Sequence, residues 1–153
     1  MISGGFDHAL NGEWGVILGG REHRMQGNYN VILGGQGNTI RGSLNTVMGM
    51  ANQLEGHYGV AIGYGHRASA NQTIGLGQNT HAKHDRSILY SDGNQWVTSQ
   101  QPGQLVMVSQ GGLGINTVPS SHAALTVSGT IHAHQLVGDG ANITGLSLGQ
   151  DYW

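Results

Sequence analysis

From residue 16 to residue 34 the chain reads Val16-Ile17-Leu18-Gly19-Gly20-Arg21-Glu22-His23-Arg24-Met25-Gln26-Gly27-Asn28-Tyr29-Asn30-Val31-Ile32-Leu33-Gly34, so an apolar triplet closed by Gly returns after 15 residues. The same signature recurs outward from there as Ile2-Ser3-Gly4, Val47-Met48-Gly49, Val60-Ala61-Ile62-Gly63 and Thr73-Ile74-Gly75. The closing glycines are spaced 15, 15, 15, 14 and 12. A second small residue keeps phase at Gly12, Gly27, Gly42, Gly56, Ala70 and Ala82. Just before it stands one inward-type residue between polar neighbours: Leu10, Met25, Ile40, Leu54, Ala68 and Thr80. Two independent markers holding phase over six copies define a repeat, which is the mark of a stacked architecture.

Each copy has room for two short strands and two tight turns. The second strand, as in Thr39-Ile40-Arg41 or Gln53-Leu54-Glu55, alternates polar and apolar, so one of its faces is wet. The first is apolar at consecutive positions, and both of its faces require burial. One face can pack inside the coil of its own chain. The other needs a surface that one thin coil does not possess. Stacking like positions every 14–15 residues predicts an all-β parallel β-solenoid, with six rungs about 4.8 Å apart making a rod of roughly 25–30 Å. Val16, Leu18, Val31, Leu33, Val47, Val60, Ile62 and Ile74 are expected to supply the core and the contact between chains. Glycine at the turns allows φ > 0. Asn11, Asn38, Asn45, Asn52, Asn71 and Asn79 are expected at corners, where Asn tolerates similar backbone and stacks in ladders.

Composition narrows the classes further. Of 153 residues 28 are Gly, and charged residues make up 9%, against about 25% in an ordinary globular domain. A net charge of -2 with 37% hydrophobic residues does not fit a disordered chain, and two Pro do not make collagen. No apolar run approaches the ~20 residues of a membrane helix, so no membrane insertion is expected in this segment. Six Lys and Arg spread along the chain form no basic stripe, so nucleic acid is not an expected partner. The start, Met1-Ile2-Ser3-Gly4-Gly5, lacks the basic and apolar regions of a cleaved signal peptide. Either export takes another route, or the chain is a mature or excised part of something larger.

The stretch from Gly59-Val60-Ala61-Ile62-Gly63 through Ala68-Ser69-Ala70-Asn71-Gln72-Thr73-Ile74-Gly75-Leu76-Gly77 resembles the head repeats of trimeric autotransporter adhesins of the YadA type. The resemblance spans about residues 2–83 and is strongest at 44–82. It implies a left-handed parallel β-roll in a homotrimer, which would supply the missing partner surface.

After Ala82 the repeat gives way to the charged cluster Lys83-His84-Asp85-Arg86. The expected organisation is solenoid repeats over 1–83, a small β connector over 84–118, and a C-terminal strand and turn neck over 119–153. Strands are expected at Leu105-Val106-Met107-Val108, Ala124-Leu125-Thr126-Val127 and Thr130-Ile131-His132-Ala133-His134. Gly112-Leu113-Gly114-Ile115-Asn116-Thr117, Pro119, Leu125, Val127, Gly129-Thr130-Ile131, Gly138-Asp139-Gly140 and Thr144-Gly145-Leu146 resemble a segment of phage tail-fibre and bacterial surface-fibre proteins. In such relatives it leads to a coiled coil or a chaperone domain. No heptad follows Leu146 in this sequence.

The residues argue against an enzyme. The eight acids never recur at matching repeat positions, as paired carboxylates facing one groove would. There is no Cys nucleophile, and no Ser stands in a nucleophile elbow. The 14–15 period does not fit the six-residue period of the hexapeptide acyltransferases. Gly34-Gly35-Gln36-Gly37-Asn38-Thr39 has Thr where a calcium-binding nonapeptide needs Asp. No cofactor is expected, with one reservation. His132 and His134 would lie on one face of a strand. If that face turned to a threefold axis, six imidazoles could hold one divalent metal, as the resemblance to tail-fibre tips implies. If it turned outward, both would meet water. His8, His23, His57, His66, His81 and His84 fall near corners and are expected on the solvated surface, with His66-Arg67 and the run from His81 to Arg86 as candidates for a small ligand-facing patch. Trp14, Tyr29 and Tyr58 share one repeat position. They form either a ladder capping the core or an exposed strip for sugars or another subunit.

The expected function is therefore structural and adhesive: a stiff trimeric rod or filament on a cell surface, able to join head to tail and to meet a glycan or protein receptor. A receptor-binding segment of a phage tail fibre, on a virion surface, is the alternative. A glycan-processing solenoid is the weakest reading.

Overall fold

Short apolar runs between turns become strands of two to six residues in the computed structural model, which describes residues 1–93, 95–119 and 124–134. In chain order they are β1 (Ala9–Asn11), β2 (Val16–Ile17), β3 (Arg24–Gln26), β4 (Val31–Gln36), β5 (Thr39–Ile40), β6 (Thr46–Met50), β7 (Gln53–Leu54) and β8 (Val60–Tyr64). They continue as β9 (Arg67–Ala68), β10 (Ile74–Gln78), β11 (Thr80–Ala82), β12 (Ile88–Ser91), β13 (Val97–Thr98), β14 (Leu105–Val108), β15 (Leu113–Ile115) and β16 (Leu125–Val127). No helix occurs among the described residues. The odd strands β1 to β13 form one seven-stranded parallel sheet and the even strands β2 to β14 a second. The chain alternates between them at every turn, and this alternation makes a parallel β-solenoid.

In each strand of the two ladders at least one residue points into the coil. In the even sheet these are Ile17, Ile32, Val47, Ala61 and Leu89, and in the odd sheet Met25, Ile40, Leu54, Ala68 and Ala82, all buried. Val47 is thus core, whereas Val16, Val31, Val60 and Ile74 lie half-buried and Leu18, Leu33 and Ile62 lie exposed on the outer face of the even sheet.

Each rung turns twice through the left-handed region. One corner column is Trp14, Tyr29, Leu44, Tyr58, Gln72 and Arg86, and the other includes Asp7, Glu22, Ala51 and Asn79, all with φ between 50° and 61°. Such a conformation costs a side-chain-bearing residue about 1–2 kcal/mol. A hydrogen bond to the preceding rung offsets it: the N–H of Tyr29 donates to the Glu13 carbonyl (3.0 Å), Leu44 to Asn28 (3.0 Å) and Gln72 to His57 (2.8 Å). The residue after each corner turns inward. There Asn30, Asn38, Asn45 and Asn52 are fully buried, and they bridge rungs with their amides. Asn38 Nδ2 donates to the Gly34 and Gly49 carbonyls (3.1 and 2.7 Å), and Asn52 Nδ2 to Asn38 Oδ1 (3.0 Å). Of the expected corner asparagines, Asn38, Asn45 and Asn52 form a ladder inside the coil, Asn79 takes a left-handed position, and Asn11 and Asn71 are exposed; the other left-handed positions go largely to aromatic and other bulky residues.

The ladder departs from the expected phase in three places. Gly35, not Gly34, pairs with Gly49, because an irregularity in β4 between Ile32 and Gly35 absorbs the change from a 15- to a 14-residue rung. In the last expected copy the partner of Gly63 is Gly77, not Gly75, and Ala82, not Thr80, pairs with Ala68. Gly75 is an inner position, where a Cβ would lie 2.9 Å from His66 Nδ1 and 2.7 Å from Thr80 Oγ1. The ladder also does not stop at residue 83. Ile74 pairs with Ile88 and Ile88 with Leu105, so two further rungs continue the even sheet to Val108 across the charged cluster. Beyond it, among the described residues, only β15 and β16 pair, with Leu113 opposite Leu125. The expected strand at Thr130–His134 is absent; these residues carry no ladder. Residues 135–153, with Gly138-Asp139-Gly140 and Thr144-Gly145-Leu146, lie outside the described residues.

Candidate functional site

Three surfaces carry chemistry. The first is the outer face of the even sheet. Two of its outward columns run Val16, Val31, Thr46, Val60, Ile74, Ile88, Leu105, in register through the strand pairs, and Leu18, Leu33, Met48, Ile62, Leu76, Tyr90, Met107, in register from Met48 onward; a third, partly polar, runs Gln36, Met50, Tyr64, Gln78. Leu18, Met48, Ile62, Leu105 and Met107 are between 42% and 63% exposed. Thirteen of the fourteen side chains in the first two columns are apolar or aromatic, Thr46 being the exception, which gives a largely apolar face along the ladder.

The second surface is the corner bearing Trp14, Tyr29 and Tyr58. All three are exposed, Trp14 by 73%, so they do not cap the core. Trp14 and Tyr29 stack nearly coplanar, with centroids 6.5 Å apart and planes 7° apart. Beside it an outer ladder ties the rungs: the N–H of Asn28 donates to Ser43 Oγ (3.0 Å), Ser43 to His57 Nδ1 (3.1 Å), His57 to Asn71 Oδ1 (2.9 Å) and Asn71 to Asp85 Oδ1 (2.8 Å).

The third is the outer face of the odd sheet, which is polar. Arg67 on β9 and His81 on β11 are register partners, flanked in the same column by Gln53 and Thr98. Trp96, just before β13, leans over them. The Arg67 guanidinium lies 4.8 Å from its ring centroid, and the His81 ring meets it edge-on at 6.3 Å and 68°. Burial, then Lys83, then Arg67 hold the His81 imidazole below its ordinary pKa. A shallow recess of about 120 Å³ is lined by Gln53, Glu55, Arg67, Ala68, Ser69 and His81.

The histidines divide sharply. His57 is exposed and His8, His81 and His84 are half-buried, but His23 and His66 are buried, against expectation. They stand in the inward position after a corner, in the column otherwise filled by His8, Asn38, Asn52 and Thr80. His66 Nε2–H donates to the Ile62 carbonyl (3.0 Å), which leaves Nδ1 to accept from the Thr80 hydroxyl (2.6 Å). His23 stacks on His8 at 5.0 Å and 2°, and its Nδ1 accepts from the Asn38 N–H (3.2 Å). Its Nε2 faces the Gly19 carbonyl outside hydrogen-bond geometry. Burial lowers the pKa of both, with His8 adding to the effect at His23. His66 therefore belongs to the core, and of the pair His66-Arg67 only Arg67 reaches the surface. His132 and His134 are exposed on a segment without strand pairing. The two-residue spacing does not place them on one strand face there, and no group of three metal-ligating side chains occurs among the described residues.

No family model, curated protein or solved structure matches the chain, so these surfaces are read from their chemistry alone.

Proposed function

We propose that the chain is a structural and adhesive segment of an extracellular fibre on a cell surface, a left-handed coil that trimerises through the outer face of the even sheet. The apolar face of that sheet carries the reading. Soluble monomers seldom expose contiguous apolar patches beyond about 300–600 Å², and this one repeats at every rung from Val16 to Met107. Ridges of Val, Leu, Ile and Met at about 4.8 Å spacing suit a sister copy in the same register. The odd sheet would then face outward and meet a glycan or protein receptor, and the two solenoid ends would allow head-to-tail joining. The fold supports a stiff rod, because every rung is tied to the next by backbone, Asn and outer-corner hydrogen bonds.

Small-angle scattering of the purified chain tests the proposal. A rod with the cross-section of three coils is expected. A cross-section one coil wide would overturn it.

A further inference from the structure

The geometry points to the recess at Arg67 and His81, with Trp96 beside it, as a binding site for an acidic polysaccharide, with Arg67 receiving a carboxylate or sulfate and Trp96 the adjoining sugar ring. This deepens the proposed adhesive function and rests on it for the assignment of the odd sheet as the receptor-facing side.

The first argument is charge. The chain has a formal net charge of -2, yet the outward positions of the odd sheet and its continuation carry Arg24, Arg41, Arg67 and Lys83 against one acid, Glu55. Glu55 is committed to Arg41 at 2.9 Å, the one ion pair among the described residues. Arg67 and Lys83 therefore stand on one face without a carboxylate partner. A cationic face on an acidic chain draws anions to itself and leaves the acidic corners to repel them.

The second argument is orientation. An exposed arginine normally sweeps many rotamers, and a ligand must pay for fixing it. Arg67 lies over the indole of Trp96, which holds the planar fork while its outer N–H groups stay free for a bidentate oxyanion. His81 beside it, with Ser69 and Gln53 on the recess wall, adds donors to the same anion.

The third argument is size and shape. At about 120 Å³ the recess is well below the roughly 300–1,000 Å³ of sites that enclose a small ligand. It fits one charged group of a ligand that otherwise lies on open surface. Trp96 is 47% exposed and offers the uncovered part of its ring to the C–H face of a sugar. The column Gln53, Arg67, His81, Thr98 lets an extended polymer run across the rungs.

The test is calorimetric titration of the full chain with four probes: an oligogalacturonate, a sulfated oligosaccharide, a neutral malto-oligosaccharide of matched length and a single-stranded oligonucleotide. At least one acidic saccharide should bind and the neutral one should not. Arg67→Gln should weaken that binding at least about tenfold, as loss of a charge-assisted contact does. Trp96→Ala should weaken it and Trp96→Phe should largely retain it. Which acidic probe binds separates uronate from sulfate. No binding of either, equal binding by the Arg67→Gln protein, or tighter binding of a single-stranded oligonucleotide than of both acidic saccharides would overturn the inference. Sedimentation of the same samples reports separately on the trimer. An intact trimer that ignores acidic saccharides sinks this site alone, and a monomer that binds them sinks the assembly instead.

Discussion

The inner column around His66 allows a change of one methyl group to be followed through the packing. Gly75 faces the imidazole across the coil, and a Cβ there would sit 2.9 Å from His66 Nδ1 and 2.7 Å from Thr80 Oγ1. Those are the two atoms that share the 2.6 Å hydrogen bond. Overpacking a filled core costs about 1–3 kcal/mol, and separating that buried pair costs a further ~1–3 kcal/mol. Because Gly75 has no left-handed φ, Ala returns only about 0.4–1 kcal/mol through the unfolded chain. Gly75→Ala should therefore destabilise by about 2–4 kcal/mol. With His66→Ala one of the two contacts is gone and the Thr80 hydroxyl has space to turn away, so the same substitution should become about neutral. A double-mutant cycle from urea unfolding at neutral pH reads the coupling, expected at about 2–4 kcal/mol. Additive effects, with Gly75→Ala equally harmful in both backgrounds, would refute the packing argument.

Buried His23 and His66 make stability depend on pH. Their folded pKa values lie below the ordinary 6.5, so below that pH the unfolded chain holds more protons. Stability should be fully present above about pH 6.5 and fall on acidification through the window down to the folded values. Urea midpoints between pH 7.5 and 5 measure this. His66→Asn, which repeats the choice made at Asn38 and Asn52, should flatten the slope, and an unchanged slope would count against it. For His132 and His134, which lie exposed on an unpaired segment, metal-free protein is the expected outcome of metal analysis after purification without a tag, and about one divalent metal per three chains would instead establish the axial site.

The solenoid was legible because each rung repeats two markers, and an apolar triplet in phase with a lone inner residue leaves few other folds. The phase error at the end of the repeat has a physical source. Gly75 looks like a turn glycine but is small in order to admit His66, and a linear alignment cannot separate a glycine kept for backbone from one kept for a neighbour. The buried histidines were missed for a related reason. His ordinarily favours the surface, although the column His8, His23, Asn38, Asn52, His66, Thr80 is polar throughout, and that constancy was the available signal. The last rung was hidden by the 17-residue step from Ile88 to Leu105, and the one before it, 14 residues after Ile74, by the phase error at Gly75. Arg67 and His81 are one rung apart in sequence and could be paired by counting. Trp96 could not, because the turn before β13 breaks the 14-residue phase.

The account rests most heavily on the outer face of the even sheet being covered by sister chains. Ile62 is 42% exposed there. Covering that fraction of a side chain whose full burial is worth about 1.5–3 kcal/mol contributes roughly 0.6–1.3 kcal/mol per chain, or about 2–4 kcal/mol per trimer. Sedimentation equilibrium of the full chain at micromolar concentration is the most direct measurement. The expected mass is three times 16.1 kDa, about 48 kDa, with Ile62→Asp shifting the protein towards 16.1 kDa while its β-sheet circular dichroism persists. A wild-type protein that sediments as a folded 16.1 kDa monomer would contradict the account.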